Sequence, residues 1–282
     1  MQQIFQYRLA GLSSSVFVGK HASQWVQNGQ LFKRHAPFTA HADPRRIDLR
    51  ASVLDPFEQY QVRTYQQHSL THVYFIADLS ASFSFVGEQA KRDVLEQLLL
   101  TIAHSALAVG DYFGCIGCGR YLETRWILPS LRHIGRITEF VKQLRTTKPS
   151  PDCASLAHIA PHLPKQRALV FLLSDFHLPL LSLPNLLHAL KPHDVVPLVL
   201  WDRQEYQQLP AWGLVSYQDM ENSTTRTLWM RPSLRQKILA AYQQRQQQLQ
   251  NSLRALGHEP LFLNTQPVAE QLNHYFRQRN RR

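Results

Sequence analysis

Two textures of hydrophobic patterning divide the chain. Up to about residue 70 the apolar positions fall in short alternating runs, such as 15–18 and 60–64, separated by polar turns. These predict a small strand-rich or irregular segment. From about residue 71 the runs become continuous. VYFIA at 73–77, ALVFLL at 168–173 and the stretch 195–200 have no polar interruption. Such runs belong to strands buried on both faces. Further strands are expected at 112–118 and 123–128, joined by a turn at Gly119-Arg120, and at 214–217 and 261–263.

Helical spacing fills the gaps between these runs. Val94, Leu95, Leu98, Ile102, Ala106 and Val109 predict a helix over 88–109, with Gly110 as its C-cap. Amphipathic helices are expected at 131–144 and 183–190, and a short one at 155–163. Pro232 opens a long helix to residue 256, a favoured first-turn position for proline. Leu234, Ile238, Tyr242, Leu249, Leu253 and Leu256 form the face expected to pack on the sheet. A last helix is predicted over 267–276, followed by the basic tail Arg277, Arg279, Arg281 and Arg282. Strands alternating with helices imply an α/β domain whose mostly parallel sheet is covered on both faces. The expected organisation is an N-terminal segment over 1–70 and an α/β domain over 71–282.

Composition leaves this picture standing and narrows the partners. The chain has 282 residues, 44% of them hydrophobic and 18% charged, an ordinary globular balance. No apolar stretch is long enough to span a bilayer, and 1–11 lacks the continuous apolar core of a signal peptide. Three cysteines cannot make a disulfide framework, so a reducing cytoplasm is expected. The net charge of +11, carried mostly by arginine, points to an acidic partner without choosing its class. Lys33, Arg34, Arg45, Arg46 and Arg50 form an early basic cluster.

In parallel α/β sheets ligands bind beyond the carboxyl ends of the strands. There the sequence places Asp78, Ser80 and Ser82 after the first buried strand and Ser174-Asp175 after the second. Alternate residues of an extended chain face the same way, so the first three oxygens can converge. A carboxylate with two hydroxyls, and Asp175 acting through a water, is a hard oxygen set suited to Mg²⁺ or Mn²⁺. The competing structural role for these residues is a capped turn. Cys115 and Cys118 lie an odd number of residues apart in a predicted strand, hence on opposite faces, and are expected to be buried and inert. His158 and His162 share a helical spacing but lack a zinc motif.

The 78–82 pattern resembles the metal-ion-dependent adhesion site of von Willebrand factor type A domains, Asp-x-Ser-x-Ser. The whole chain resembles the bacterial family known as domain of unknown function 58. That family carries a Gly-Asp-Asp-x-Arg-x-Ile-Asp-Trp segment. Asp43, Arg45, Ile47 and Asp48 match it, while His41, Ala42 and Leu49 do not. Gly110-Asp111, Leu173-Ser174-Asp175-Phe176, Asp202 with Glu205 (Arg203 standing in place of proline), Leu209-Pro210, Gly213, Asp219 and Glu221 follow in the family's order. Type A domains also use a threonine ligand on a later loop. Ala154 stands at that position, with Ser155 or Asp152 as the available substitutes.

The resemblance implies a von Willebrand factor A-like fold and a non-enzymatic adaptor. Its metal would be completed by a partner's carboxylate, and its partner would be a MoxR-type AAA+ ATPase. A Mg²⁺-dependent phosphoryl-transfer hydrolase of haloacid dehalogenase type is the first alternative. Its acid/base Asp would stand where Ser80 is, and Ser80 cannot serve as a general acid near neutral pH. A basic nucleic-acid-binding protein is the second alternative, without a helix-turn-helix, zinc-finger or RNA-recognition motif to support it. The sequence also lacks a Walker-type phosphate loop.

Overall fold

The computed structural model describes residues 4–9, 18–22, 31–39, 43–66, 68–81, 90–147, 149–201, 209–218, 225–264 and 266–279. They fall into two compact units, Leu9–Thr71 and Met1–Arg8 with His72–Arg282.

In the smaller unit, β1 (Val18–Ala22) pairs antiparallel with β4 (His68–Ser69), and β2 (Leu31–Pro37) pairs antiparallel with β3 (Gln61–Gln66). The run 60–64 therefore falls largely in β3, residues 15–17 lie outside the described residues with β1 beginning at Val18, and β2 is a strand that the patterning did not predict. The family-like segment acts here as a pair of helix caps. Asp43 accepts from Arg45 N at 3.1 Å and opens a 3-10 turn, Pro44–Arg46. Asp48 Oδ1 accepts from Arg50 N and Ala51 N and opens α1 (Leu49–Val53). Arg63 Nε donates to Asp48 Oδ2 at 2.7 Å, and His35 Nε2 lies 3.1 Å from the same oxygen. Of the other family-like positions, His41, Ala42, Asp202, Glu205, Asp219 and Glu221 lie outside the described residues.

The larger unit is built on a six-stranded sheet. Its strands are β5 (His72–Asp78), β6 (Tyr112–Cys118), β7 (Ile127–Leu131), β8 (Leu169–Ser174), β9 (Asp194–Val199) and β12 (Leu261–Phe262). The order is β12-β9-β8-β5-β6-β7, parallel throughout except for β7. This is the mostly parallel α/β arrangement expected from the sequence. From β5 the chain steps to β6 on one side and later returns to β8 on the other. The boundary between β5 and β8 is therefore the topological switch point.

Even-numbered residues of β5 (Tyr74, Ile76) join a core with α4 (Leu183–Ala189) and with Leu249 and Leu253 of α5 (Pro232–Ala255). Against the other face pack α2 (Lys91–Val109), α3 (Ile134–Arg145) and α6 (Val268–Arg279). Leu98, Leu99 and Ile102 of α2 are fully buried, each contributing roughly 1.5–3 kcal/mol of transfer free energy. The segment 4–8 belongs to this face. Phe5 stacks on Phe276 with centroids 5.8 Å apart and meets Phe171 edge-on, and Tyr7 Oη donates to Asp111 Oδ2 at 2.5 Å.

Several expected bounds shift for local reasons. The strand predicted at 123–128 is a 3-10 turn, Thr124–Trp126, followed by β7. Trp126 turns into the core while Arg125 lies 5.0 Å over its ring. The helix predicted from 131 begins at Ile134, because His133 Nδ1 accepts from Arg136 N as its cap and leaves Leu131 to β7. Over 155–163 there are two 3-10 turns, Ala154–His158 and Ala160–His162, with Pro161 opening the second. Only the C-terminal half of α5 is seated. Leu249 and Leu253 are buried, whereas Leu234 and Ile238 are half-exposed. The last helix runs on to Arg279, whose guanidinium pairs with the buried Asp194, so this part of the basic tail is structural. A hairpin, β10 (Gly213–Gln218) with β11 (Thr225–Met230), forms its own two-stranded sheet; only β10 was expected.

Candidate functional site

Parallel register lines up the strand ends. Asp78 of β5 pairs with Cys118 of β6, and Ala77 pairs with Leu173 of β8. The next residues across that boundary are Asp78 and Ser174, so Cys118, Asp78 and Ser174 stand in one row. All three are buried. The Ser174 hydroxyl donates to Asp78 Oδ2 at 2.8 Å, and Ser80 N donates to Asp78 Oδ1 at 2.9 Å. Ser80 is held in place by a bridge to Ser150, whose N–H donates to Leu79 O.

Asp175 enters from the loop after β8. Its Oδ1 accepts from His177 N at 3.2 Å, and its carbonyl accepts from Trp201 Nε1 at 2.6 Å. Its Oδ2 is buried without a hydrogen-bond partner among the described residues, and His177 Nε2 stands 4.0 Å away. The His177 ring lies parallel to Trp201 with centroids 5.7 Å apart. The turn is tightly determined. Phe176 takes a left-handed backbone conformation, φ 52°, while its side chain is fully buried. Such a conformation costs about 1–3 kcal/mol in a non-glycine residue. It is held by the Phe176 N to Ser174 Oγ bond at 3.0 Å and by Arg245 of α5, which donates to Leu178 O at 2.7 Å.

The third wall is the 150–155 loop. Ser155 Oγ is buried near the Cys118 sulfur, with no nitrogen or oxygen partner. The Cys153 thiol hydrogen-bonds Asp78. Burial first, and the Asp175 charge second, raise the Asp78 carboxyl above its ordinary value; the hydrogen bonds from Ser80 and Ser174 oppose them. The same burial, reinforced by Asp78, pushes the Cys118 thiol up to about 12 and Cys153 higher still.

Of the predicted site residues, Asp78, Ser80 and Asp175 lie together at these strand ends, and Ser82 lies outside the described residues. Of the two substitutes for the absent threonine, Ser155 is buried at the site. Asp152 is half-exposed, caps Ala154 N at 3.2 Å and pairs with Arg120 at 3.6 Å. Ser174, Cys153 and Trp201 were not among the predicted site residues. Ser174 stands at the strand end already singled out with Asp175, and Cys153 lies in the loop already singled out for Asp152 and Ser155, though neither was read as part of the site.

The donor chemistry fits a hard divalent cation: two carboxylates, several hydroxyls, and a buried oxygen, Asp175 Oδ2, that has no hydrogen-bond partner among the described residues. No group of three or more His, Cys, Asp or Glu suited to a metal occurs among the described residues. A cation held here would therefore draw on hydroxyls, water or an incoming carboxylate to complete its shell.

The model of the family described as "Protein of unknown function DUF58" matches residues 43–248. The chain belongs to the DUF58 family. No curated protein is significantly similar to it in sequence. Among solved structures it is similar to an aerotolerance-related membrane protein from Bacteroides fragilis, at 11% identity and a TM-score of 0.41, over 75% of this chain and 100% of that one. It is also similar to proximal thread matrix protein 1 of the mussel byssus. Two crystal structures of that protein match at 14% identity, with TM-scores of 0.32 and 0.34, over 46% and 50% of this chain and 38% and 41% of theirs. Among the described residues of this DUF58 chain, no helix is long and apolar enough to cross a membrane.

Proposed function

We propose that this DUF58 protein is a non-enzymatic protein-interaction module, whose β5/β8 strand-end site holds Mg²⁺ or Mn²⁺ and docks an acidic side chain of its partner. The observation that carries this reading is the pair of buried carboxylates, Asp78 and Asp175, with Asp175 Oδ2 buried and without a hydrogen-bond partner among the described residues. Desolvated like charges favour a cation between them. Asp78, Ser80, Asp175 and Ser155 would hold it. When bound, the ion supplies charge that a partner's Asp or Glu neutralises. An overall basic chain favours encounter with an acidic partner.

The family resemblance makes a MoxR-type AAA+ ATPase the expected partner, with complex assembly or remodelling as the task. Against phosphoryl transfer stands the absence of a second acid two residues after Asp78, where Ser80 is engaged with Asp78 instead.

Calorimetric titration with Mg²⁺ and Mn²⁺ tests the site directly. Wild type is expected to bind and Asp78→Ala to lose binding while keeping its circular dichroism spectrum. Equal titration curves for the two proteins would refute the site. Capture of the ATPase by wild type, lost with EDTA and with Asp78→Ala, is the expected result for the adaptor role. Capture that is indifferent to both would refute a metal-bridged contact, and turnover of a generic phosphomonoester would refute the non-enzymatic reading.

A further inference from the structure

The β10–β11 hairpin presents its apolar side outward. Register pairs Leu214 with Trp229 directly across the ribbon, and Ser216 with Thr227 on the same face. Trp212 lies two residues before Leu214, just beyond the Gly213–Met230 pair that ends the ladder, where Gly213 takes a positive φ of 121°. Trp212 is 64% exposed, Leu214 68% and Trp229 58%. The opposite face is the anchored one: Met230 is fully buried and Val215 half-buried. Leu214 and Trp229 thus stand on the outer face, Trp212 is exposed beside them at the end of β10, and on the inner face Met230 is covered while Leu228 is 38% exposed.

The loop joining the two strands carries Asp219 and Glu221, whereas the chain on the α5 side of the ribbon is basic. From Thr225 to His258 the chain contains Arg226, Arg231, Arg235, Lys237, Arg245 and Arg254 and no acidic residue. Arg254 is paired with Glu259, and Arg245 is spent on the loop after β8. Arg231 and Lys237 are exposed and make no ion pair with a described residue. They stand at the start of α5, whose first helical residue, Pro232, follows Met230 with one residue between. Leu234 and Ile238 on the same turns are half-exposed.

We propose that the outer face of this hairpin, with the first turns of α5, is a docking surface for an anionic phospholipid bilayer. Tryptophan partitions to the headgroup level, leucine to the acyl boundary, and arginine and lysine to the phosphates. Nucleic acid would use the indoles and the cations, but it gains nothing from Leu214 between them, because an aliphatic side chain offers no stacking platform. This inference is independent of the strand-end site and adds a location to the proposed adaptor role.

The test is co-sedimentation of the full chain with vesicles of phosphatidylcholine alone, or with about a third phosphatidylglycerol, at about 0.1 M and about 0.5 M salt. Wild type is expected to bind the anionic vesicles at least roughly tenfold better, and to release at high salt. W212S/W229S is expected to lose most of this binding, and R231E/K237E likewise. Both change exposed side chains, and circular dichroism checks their folds. Asp78→Ala is expected to bind vesicles like wild type, which separates failure here from failure of the metal site. No preference for anionic vesicles would overturn the proposal, as would undiminished binding by the double-tryptophan variant. Tighter binding to single-stranded RNA with the same variant dependence would replace it with a nucleic-acid surface. A dimer in light scattering that W212S/W229S dissolves would replace it with a self-association face.

Discussion

The Ser174 hydroxyl of β8 donates a 2.8 Å hydrogen bond to Asp78 Oδ2 of β5, and Ser174 Oγ itself accepts from Phe176 N. One small side chain thus fixes a carboxylate on the neighbouring strand and the strained turn that carries Asp175. Ser174→Ala removes both bonds in a dry environment. The expected cost is about 1–3 kcal/mol in urea unfolding, together with weaker Mg²⁺ binding, because Asp78 loses a fixed donor. Loss of neither would show that the turn is held by packing alone.

Asp78 supplies a pH test. Its carboxyl is raised above the ordinary 3.8, so the folded protein holds this proton more tightly than the unfolded chain. The ionised form therefore costs stability, and the cost grows as pH rises above about 4. Metal-free Asp78→Asn should melt higher than wild type at pH 7, by roughly 2–4 °C, and the gain should vanish below about pH 4. With saturating Mg²⁺ the order should reverse at pH 7. Thermal melts in EDTA and in Mg²⁺ check both arms.

Thiol chemistry reports on the same charge. Cys153 is held protonated by burial and by Asp78, and Cys118 is pushed up to about 12. Since the thiolate is the reactive form, iodoacetamide at pH 8 should label Cys153 far more slowly in the folded protein than in urea. Asp78→Asn should speed that labelling roughly tenfold, because removing the neighbouring negative charge makes the thiolate easier to form. Peptide mass spectrometry distinguishes the three cysteines.

Arg245 ties α5 to the loop after β8 through Leu178 O. Arg245→Ala should cost about 1–3 kcal/mol, and Arg245→Lys should recover only part of it, since a single ammonium does not reproduce the guanidinium fork. A drop in Mg²⁺ affinity with little change in Tm would show that the bond orients Asp175 more than it stabilises the fold.

The sheet was legible because its strands are dry. VYFIA and ALVFLL can lie nowhere but in a core, and Asp78 and Ser174-Asp175 mark their ends. The hairpin was only half legible: β11 reads Thr-Arg-Thr-Leu-Trp-Met, and its alternation puts Trp229 outward, against the usual rule that the apolar face is the hidden one. The α5 stripe was misjudged in extent for a related reason. Helical spacing shows that Leu234 and Leu253 share a face, but not that only the second has a core to meet. At the site, Asp78, Ser80 and Asp175 follow from local spacing. Cys153 and Ser155 approach from a loop some 75 residues on in sequence, and periodicity carries no information about such a contact.

The segment 4–8 gives the larger unit an order of assembly. Gln6 N donates to Asn273 Oδ1, and Phe5 stacks on Phe276, so two stretches more than 260 residues apart close one face of the sheet. On a ribosome the segment can meet Ser105, Asp111 and Phe171 first, but Asn273 and Phe276 only once α6 has emerged. Leu9–Thr71, lying in sequence between two pieces of the larger unit, pairs its described strands within itself. It can finish while its host is still open. The host closes late, by locking the beginning of the chain against a helix synthesised at the other end.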